Sequence, residues 1–277
     1  MTKGWDKLIV TVAPNGARRT KRDHPALPLT PDEIARTAAA CREAGAAMLH
    51  LHVRDKDGRH SLDVEAYREA IAAVRRAVGD GLIIQATTEA AGRYGPAEQM
   101  AAMRALRPEA TSLALREIVP DAQAERKAAR FFAWLEKEQV VPQFILYSAD
   151  ELARYQDLRT RGVIPGARHF LLFVLGRYDT AEAAKPAELL PFLAALGDDG
   201  PWAVCAFGAR ENACALAAAA LGGHLRVGFE NNLYLCDRSP APTNAALVEQ
   251  AAVGAVLIGR ELADADAARA MLSVATG

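Results

Sequence analysis

The chain has 277 residues, 51% of them hydrophobic and 24% charged, with 33 Lys and Arg against 34 Asp and Glu. That apolar content excludes a disordered or low-complexity protein. The net charge of −1 and the pI of about 6.6 argue against nucleic acid or an anionic membrane as the main partner. The length suits two ordinary domains or one eight-stranded α/β barrel of about 250 residues.

In chain order, residues 1–7 are polar, and the apolar run 8–14 is far shorter than the roughly 20 residues of a membrane span. Neither a signal peptide nor an anchor is expected. Short β-rich apolar runs then alternate with Ala-rich helical stretches. The predicted strands are 8–14, 48–53, 82–88, 111–115, 141–148, 169–176, 202–208 and 225–229. The predicted helices lie near 31–45, 63–79, 96–106, 121–139, 149–162, 185–197 and 210–222, with two more near 242–260 and 264–275. Thr30 before Pro31 reads as a helix cap followed by a first-turn proline, and Gly45, Gly162 and Gly222 stand where helix ends need positive φ.

Eight strand–helix units without a linker predict an α/β fold with a single (β/α)8 TIM barrel over residues 1–277 and a short C-terminal helical extension. A doubly wound open sheet is the alternative, but strand one ends in Ala13-Pro14-Asn15-Gly16 rather than a Gly-rich phosphate turn. In a barrel, polar residues late in a strand and on its inner face are the candidates for chemistry. The four cysteines, Cys41, Cys205, Cys214 and Cys236, form no C-x-x-C pair and read as reduced thiols of a cytoplasmic enzyme.

In strand two, the period of 2 puts Leu49, Leu51 and Val53 on one face and His50 and His52 on the other. Two imidazoles about 6.6 Å apart along a strand can chelate one metal. The alternative is a pair of ordinary core histidines. In strand eight, Leu225, Val227 and Phe229 form the outer face and Arg226, Gly228 and Glu230 the inner one. An inward carboxylate is costly unless paired or metal-bound. Strands eight and two flank strand one, about 9.6 Å apart, so Glu230 can meet the two histidines at one ion. Two His and one carboxylate with open positions form the ligand set of a catalytic zinc site. The competing reading is a Glu230–Arg226 ion pair. Arg226 can alternatively hold a substrate carboxylate. At the end of strand three, Gln85 and Thr87 share a face, and Thr87 either donates its hydroxyl to an oxyanion or is an ordinary strand residue. His169 and His224 fall at strand starts, and His24 and His60 are expected in loops.

The stretches Leu8-Ile9-Val10-Thr11, Asp23-His24-Pro25-Ala26-Leu27-Pro28-Leu29-Thr30-Pro31, His50-Leu51-His52-Val53-Arg54-Asp55 and Gly222-Gly223-His224-Leu225-Arg226-Val227-Gly228-Phe229-Glu230-Asn231-Asn232 resemble the β-keto acid cleavage enzyme family, in order along nearly the whole chain. The resemblance implies a zinc-dependent barrel enzyme that turns a β-keto acid and acetyl-CoA into acetoacetate and a new acyl-CoA. It implies one Zn2+ per chain on His50, His52 and Glu230, with Arg226 in the catalytic site and Thr87 in place of a substrate-binding Ser. It also implies a homo-oligomer, a dimer or tetramer. Asn231 stands where the family commonly has Asp, and an amide cannot take up a proton as a carboxylate does. Asn231 then either marks an adapted or vestigial site or merely caps its loop. Arg18 aligns with an acidic residue that faces the substrate's amino group in the family's amino-keto-acid enzyme, and Arg116, at the inward position that ends strand four, aligns with a Thr. Both changes add positive charge at the distal end of the substrate, unless the two arginines point to solvent or pair with Glu89 or Glu117. A zinc hydrolase and a non-catalytic metal- and keto-acid-binding homologue are the competing functions.

Overall fold

The computed structural model describes residues 6–166, 168–177 and 184–273. In chain order the elements are β1 (Val10–Val12), α1 (Pro31–Glu43), β2 (Met48–Leu51), β3 (Val53–Arg54), β4 (His60–Ser61), α2 (Val64–Val78), β5 (Ile83–Thr87), α3 (Pro96–Leu106), β6 (Ala110–Ala114), α4 (Leu115–Ile118), α5 (Glu125–Lys137), β7 (Val141–Leu146), α6 (Ala149–Thr160), β8 (Phe170–Leu175), a 3-10 turn (Pro186–Leu189), α7 (Leu190–Ala195), β9 (Trp202–Ala206), α8 (Glu211–Ala220), β10 (His224–Val227), α9 (Asn244–Leu257) and α10 (Ala265–Ser273). Among the described residues, eight strands close a barrel in the order β1-β10-β9-β8-β7-β6-β5-β2, every pair parallel. The eight predicted strands are the eight staves, and the expected TIM barrel is the observed fold.

The period-2 pattern sorts the staves as expected. Leu49 and Leu51 face outward into the core shared with the helices. Met48, Ile83, Phe170 and Leu172 fill the interior. Thr30 caps α1 in a full capping box with Glu33, and Gly45, Gly162 and Gly222 take positive φ. The helix predicted near 264–275 does more than extend the chain. Ala268 and Leu272 of α10 join the interior cluster with Ile9 and Met48. Arg269 anchors α10 to Glu109 at 2.7 Å and to the Asp80 carbonyl at 2.8 Å, so it stoppers the end of the barrel where strands begin. Residues 274–275 of that predicted helix lie outside the described residues.

Two boundaries differ from expectation where they matter. Strand two ends at Leu51, and Val53–Arg54 instead pairs antiparallel with His60–Ser61. His60, expected in a loop, is therefore a buried member of a small ribbon. Strand eight ends at Val227 rather than at residue 229, because Gly228 takes φ +139° and a Cβ there would lie 2.4 Å from the Ala13 carbonyl oxygen. Only glycine tolerates that close approach. Phe229 accordingly leaves the outer face and packs with Leu27, Ala241 and Leu247 in a separate cluster.

Candidate metal centre and substrate cavity

The end of the barrel where strands finish carries a cavity of about 300 Å³, lined by His50, Thr87, Glu89, Arg226 and Glu230 in its depth and by Arg18, Arg116 and Arg177 among others. His50 lies on β2 and His52 one residue past its end, both fully buried. Their Nε2 atoms are 3.0 Å apart. Glu230 Oε2 lies 3.4 Å from the first and 3.3 Å from the second. Glu230 arrives by a turn rather than by strand periodicity. After Gly228 the chain folds back so that the Glu230 amide donates to the Ala13 carbonyl at 3.0 Å. Glu211 accepts from the Gly228 amide at 3.1 Å, Asn244 accepts from the Phe229 amide at 2.8 Å, and Arg19 donates to the Phe229 carbonyl. Residues from three segments, the β1–α1 connection and the starts of α8 and α9, thus hold the turn.

The two readings of Glu230 turn out to be compatible. Arg226 Nη2 donates to Oε1 at 2.9 Å, leaving Oε2 toward the imidazoles. Burial pushes the Glu230 carboxyl up, but the Arg226 guanidinium outweighs it and holds it well below the usual carboxylate range. Burial, reinforced by Arg226, drives His50 down to about 3, against the pull of Glu230, so its ring stays neutral. The amide of Gln85 donates to Gln143 at 3.1 Å, which turns its carbonyl oxygen toward His50. His50 Nδ1–H donates to that oxygen at 2.8 Å, and the Nε2 lone pair is then directed at the cluster.

These residues fit a metal. Three acceptor atoms converge from His50, His52 and Glu230 in a buried place. The edge of a tetrahedron with bonds of about 2.0–2.1 Å is about 3.3–3.4 Å, the spacing of Oε2 from both nitrogens. Gln85 was not singled out for this role by sequence, although it shares the inner face of its strand with Thr87. Gln85→Ala is expected to weaken metal affinity by about 10- to 100-fold, as loss of an outer partner to a ligating His does, measured by competition with a chromogenic chelator.

Thr87 is buried on the cavity wall. Its Oγ1 accepts from the Glu89 amide at 3.1 Å and from Ser112 Oγ at 3.4 Å, which leaves its own proton to donate into the cavity. Glu89 is the residue that sequence reasoning missed, although it has the same inward parity as Gln85 and Thr87. Its Oε2 lies 3.8 Å from His52 Nε2. Burial raises its pKa, the charges of Glu230 and Glu117 add to that, and His52 and Arg18 oppose it. His60 backs this arrangement, its ring 5.2 Å from that of His52 and its Nε2 2.8 Å from the Glu89 carbonyl oxygen.

The structure also places the other three predicted residues. Asn231 is fully buried, its side-chain amide finds no hydrogen-bond partner, and it is not among the cavity-lining residues. Only its backbone serves the turn, accepting from the Gly208 amide at 3.1 Å and from Arg19 at 3.4 Å. Arg116 is not an inward strand position, because β6 stops at Ala114 and Arg116 rides on the one-turn helix that follows. It also pairs with neither Glu89 nor Glu117. Its guanidinium stacks on Tyr147, 3.5 Å from the ring centroid, and meets Glu151 at 3.8 Å, which holds it at the rim of the cavity. Arg18 is exposed at the same rim.

A parallel eight-stranded barrel with a two-histidine, one-carboxylate cluster at the strand ends defines a metal-type (β/α)8 enzyme scaffold. Residues 7–274 match the β-keto acid cleavage enzyme family, and the chain belongs to it. A 3-keto-5-aminohexanoate cleavage enzyme of Fusobacterium nucleatum subsp. nucleatum is 35% identical over 277 residues, with 97% of this chain and 98% of that protein aligned. A 3-oxoadipate:acetyl-CoA acetyltransferase of Cupriavidus necator is 31% identical over 274 residues, covering 96% and 94%. ObcA in its binary complex with oxaloacetate shares the fold, with a TM-score of 0.68 at 18% identity over 90% of this chain and 67% of that one.

Proposed function

We propose that this protein is a zinc-dependent acyltransferase that converts a β-keto acid and acetyl-CoA into acetoacetate and a new acyl-CoA. The acyl carbon of the keto acid exchanges its bond to the CH2–COO⁻ unit for one to the CoA sulfur, and that unit passes to the acetyl group. The observation that carries the reading is the convergence of His50, His52 and Glu230 on one point of the cavity wall in a chain of this family. Two imidazoles favour Zn2+ over Mg2+, which prefers all-oxygen shells. When bound, the ion supplies Lewis-acid polarisation of a keto oxygen. Arg226, tied to Glu230, faces the cavity and binds the substrate carboxylate or the developing oxyanion. Thr87 donates one more hydrogen bond. Glu89 is positioned to take the α-proton of the keto acid, the task that Asn231 cannot perform.

Formation of a new acyl-CoA from a β-keto acid only when acetyl-CoA is present is the result expected. Product release from the keto acid alone indicates the zinc hydrolase, and binding of the keto acid without turnover indicates the non-catalytic homologue. Glu89→Gln is expected to lower kcat by about 10²- to 10⁴-fold with metal content unchanged, whereas Asn231→Asp is expected not to raise it. A gain of about 10²-fold in Asn231→Asp would return the proton-transfer role to position 231.

The wider setting is part of the same proposal. Among the described residues, no helix is long and apolar enough to cross a membrane. The cysteines are all free, which supports a reducing, cytoplasmic setting. Val253, Val256 and Leu257 leave an apolar face of α9 exposed, which supports a homo-oligomer.

A further inference from the structure

The proposed reaction brings two substrates to one point, and the cavity over the histidines is only about 300 Å³. That volume lies at the small end of ligand pockets. It suits a short keto acid and leaves little room for the long arm of a CoA thioester. A second, more open cavity of about 700 Å³ adjoins it, sharing Tyr147, Val174, Gly176 and Arg177 as lining residues. It runs from the mouth of the barrel outward between the start of α6 and α7, past Ala149, Pro191 and Phe192.

We infer that this outer groove holds the pantetheine arm of the acyl-CoA, with the thioester passing into the inner cavity beside Gly176; the inference rests on the acetyl-CoA reading above. Away from Arg177 at the junction, the chemistry of the walls selects the neutral arm. Val174, Pro191 and Phe192 offer apolar surface. The acidic group there, Glu188, spends its carboxylate on the amides of Gly176 and Lys185, both at 3.0 Å, and would repel phosphates. The nucleotide end of the molecule therefore stays outside. At the junction Gly176 has φ +70°, and a Cβ there would sit 3.1 Å from that of Ala184. Any other residue would carry strain and narrow the passage between the cavities.

The test is calorimetric titration of the zinc-loaded wild-type enzyme and an Ala149→Trp variant with acetyl-CoA. The expected result is a Kd for acetyl-CoA at least 10-fold weaker in the variant, with the Kd for the β-keto acid and the zinc content unchanged. Should the tryptophan prevent folding, Ala149→Cys in a Cys236→Ser background decides the matter. Acetyl-CoA, and not the keto acid, is expected to slow alkylation of the introduced thiol at least 10-fold. Wild-type affinity in Ala149→Trp, unslowed alkylation, or protection by the keto acid instead would overturn the groove assignment while leaving the acyltransferase reading intact. Absence of any acetyl-CoA binding by the wild-type protein would overturn both.

Discussion

Alanine at His50, His52 or Glu230 is expected to reduce bound zinc from about one ion per chain to background by elemental analysis. Turnover should fall by about 10³-fold or more, the equivalent of the several kcal/mol that Lewis-acid stabilisation supplies. The three variants should differ in stability in a way that a merely structural cluster would not produce. Removing either imidazole leaves the buried Arg226–Glu230 pair intact at 2.9 Å. Removing Glu230 instead breaks a buried ion pair with Arg226, which is 4% exposed and meets it at 2.9 Å. Loss of one member of a buried pair costs about 3–5 kcal/mol. Metal-free Glu230→Ala should therefore unfold well below metal-free wild type, and metal-free His50→Ala should not. Full zinc occupancy in all three variants would refute the ligand assignment.

A preference for a β-keto dicarboxylate over an amino keto acid is the second large effect expected. The relatives include both a 3-keto-5-aminohexanoate cleavage enzyme and a 3-oxoadipate transferase at similar identity, so kinship alone does not choose. The rim does. Arg18, Arg116 and Arg177 line the cavity together with Glu89 and Glu117, and the Glu117 carboxylate is already taken by the Ala90 amide at 3.0 Å and Gln99 at 2.8 Å. Arginine stays protonated and binds carboxylates in a planar fork, whereas a desolvated ammonium meets repulsion there. Each charge-assisted hydrogen bond is worth about 1.5–3 kcal/mol. Wild type should thus show a higher kcat/KM for 3-ketoglutarate than for 5-amino-3-ketohexanoate. Arg116→Ala should lower the former by about 10- to 100-fold and the latter little. Equal loss for both substrates, or a wild-type preference for the amine, would show that Arg116 serves only its contacts with Tyr147 and Glu151.

The barrel was legible because each stave is a short apolar run bounded by turn residues, and the helices between them carry caps that act within a few residues, such as Thr30 with Glu33. The histidine pair was legible for the same reason, since alternation along a strand is local and needs no knowledge of neighbours. Glu230 joins the two histidines, but not by the alternation from which it was expected to. Alternation fails at Gly228, where contact with Ala13 forces a turn, and only the packing of β10 beside β1 creates that contact. The same turn buries the Asn231 side chain away from the cavity. Tertiary structure alone also placed Arg116 on Tyr147, brought Glu89 within 3.8 Å of His52, and opened a groove between α6 and α7. Those relations join residues far apart in the chain whose side chains meet only when the sheet closes. Periodicity reports which face a residue takes, and closure of the barrel decides what stands opposite that face.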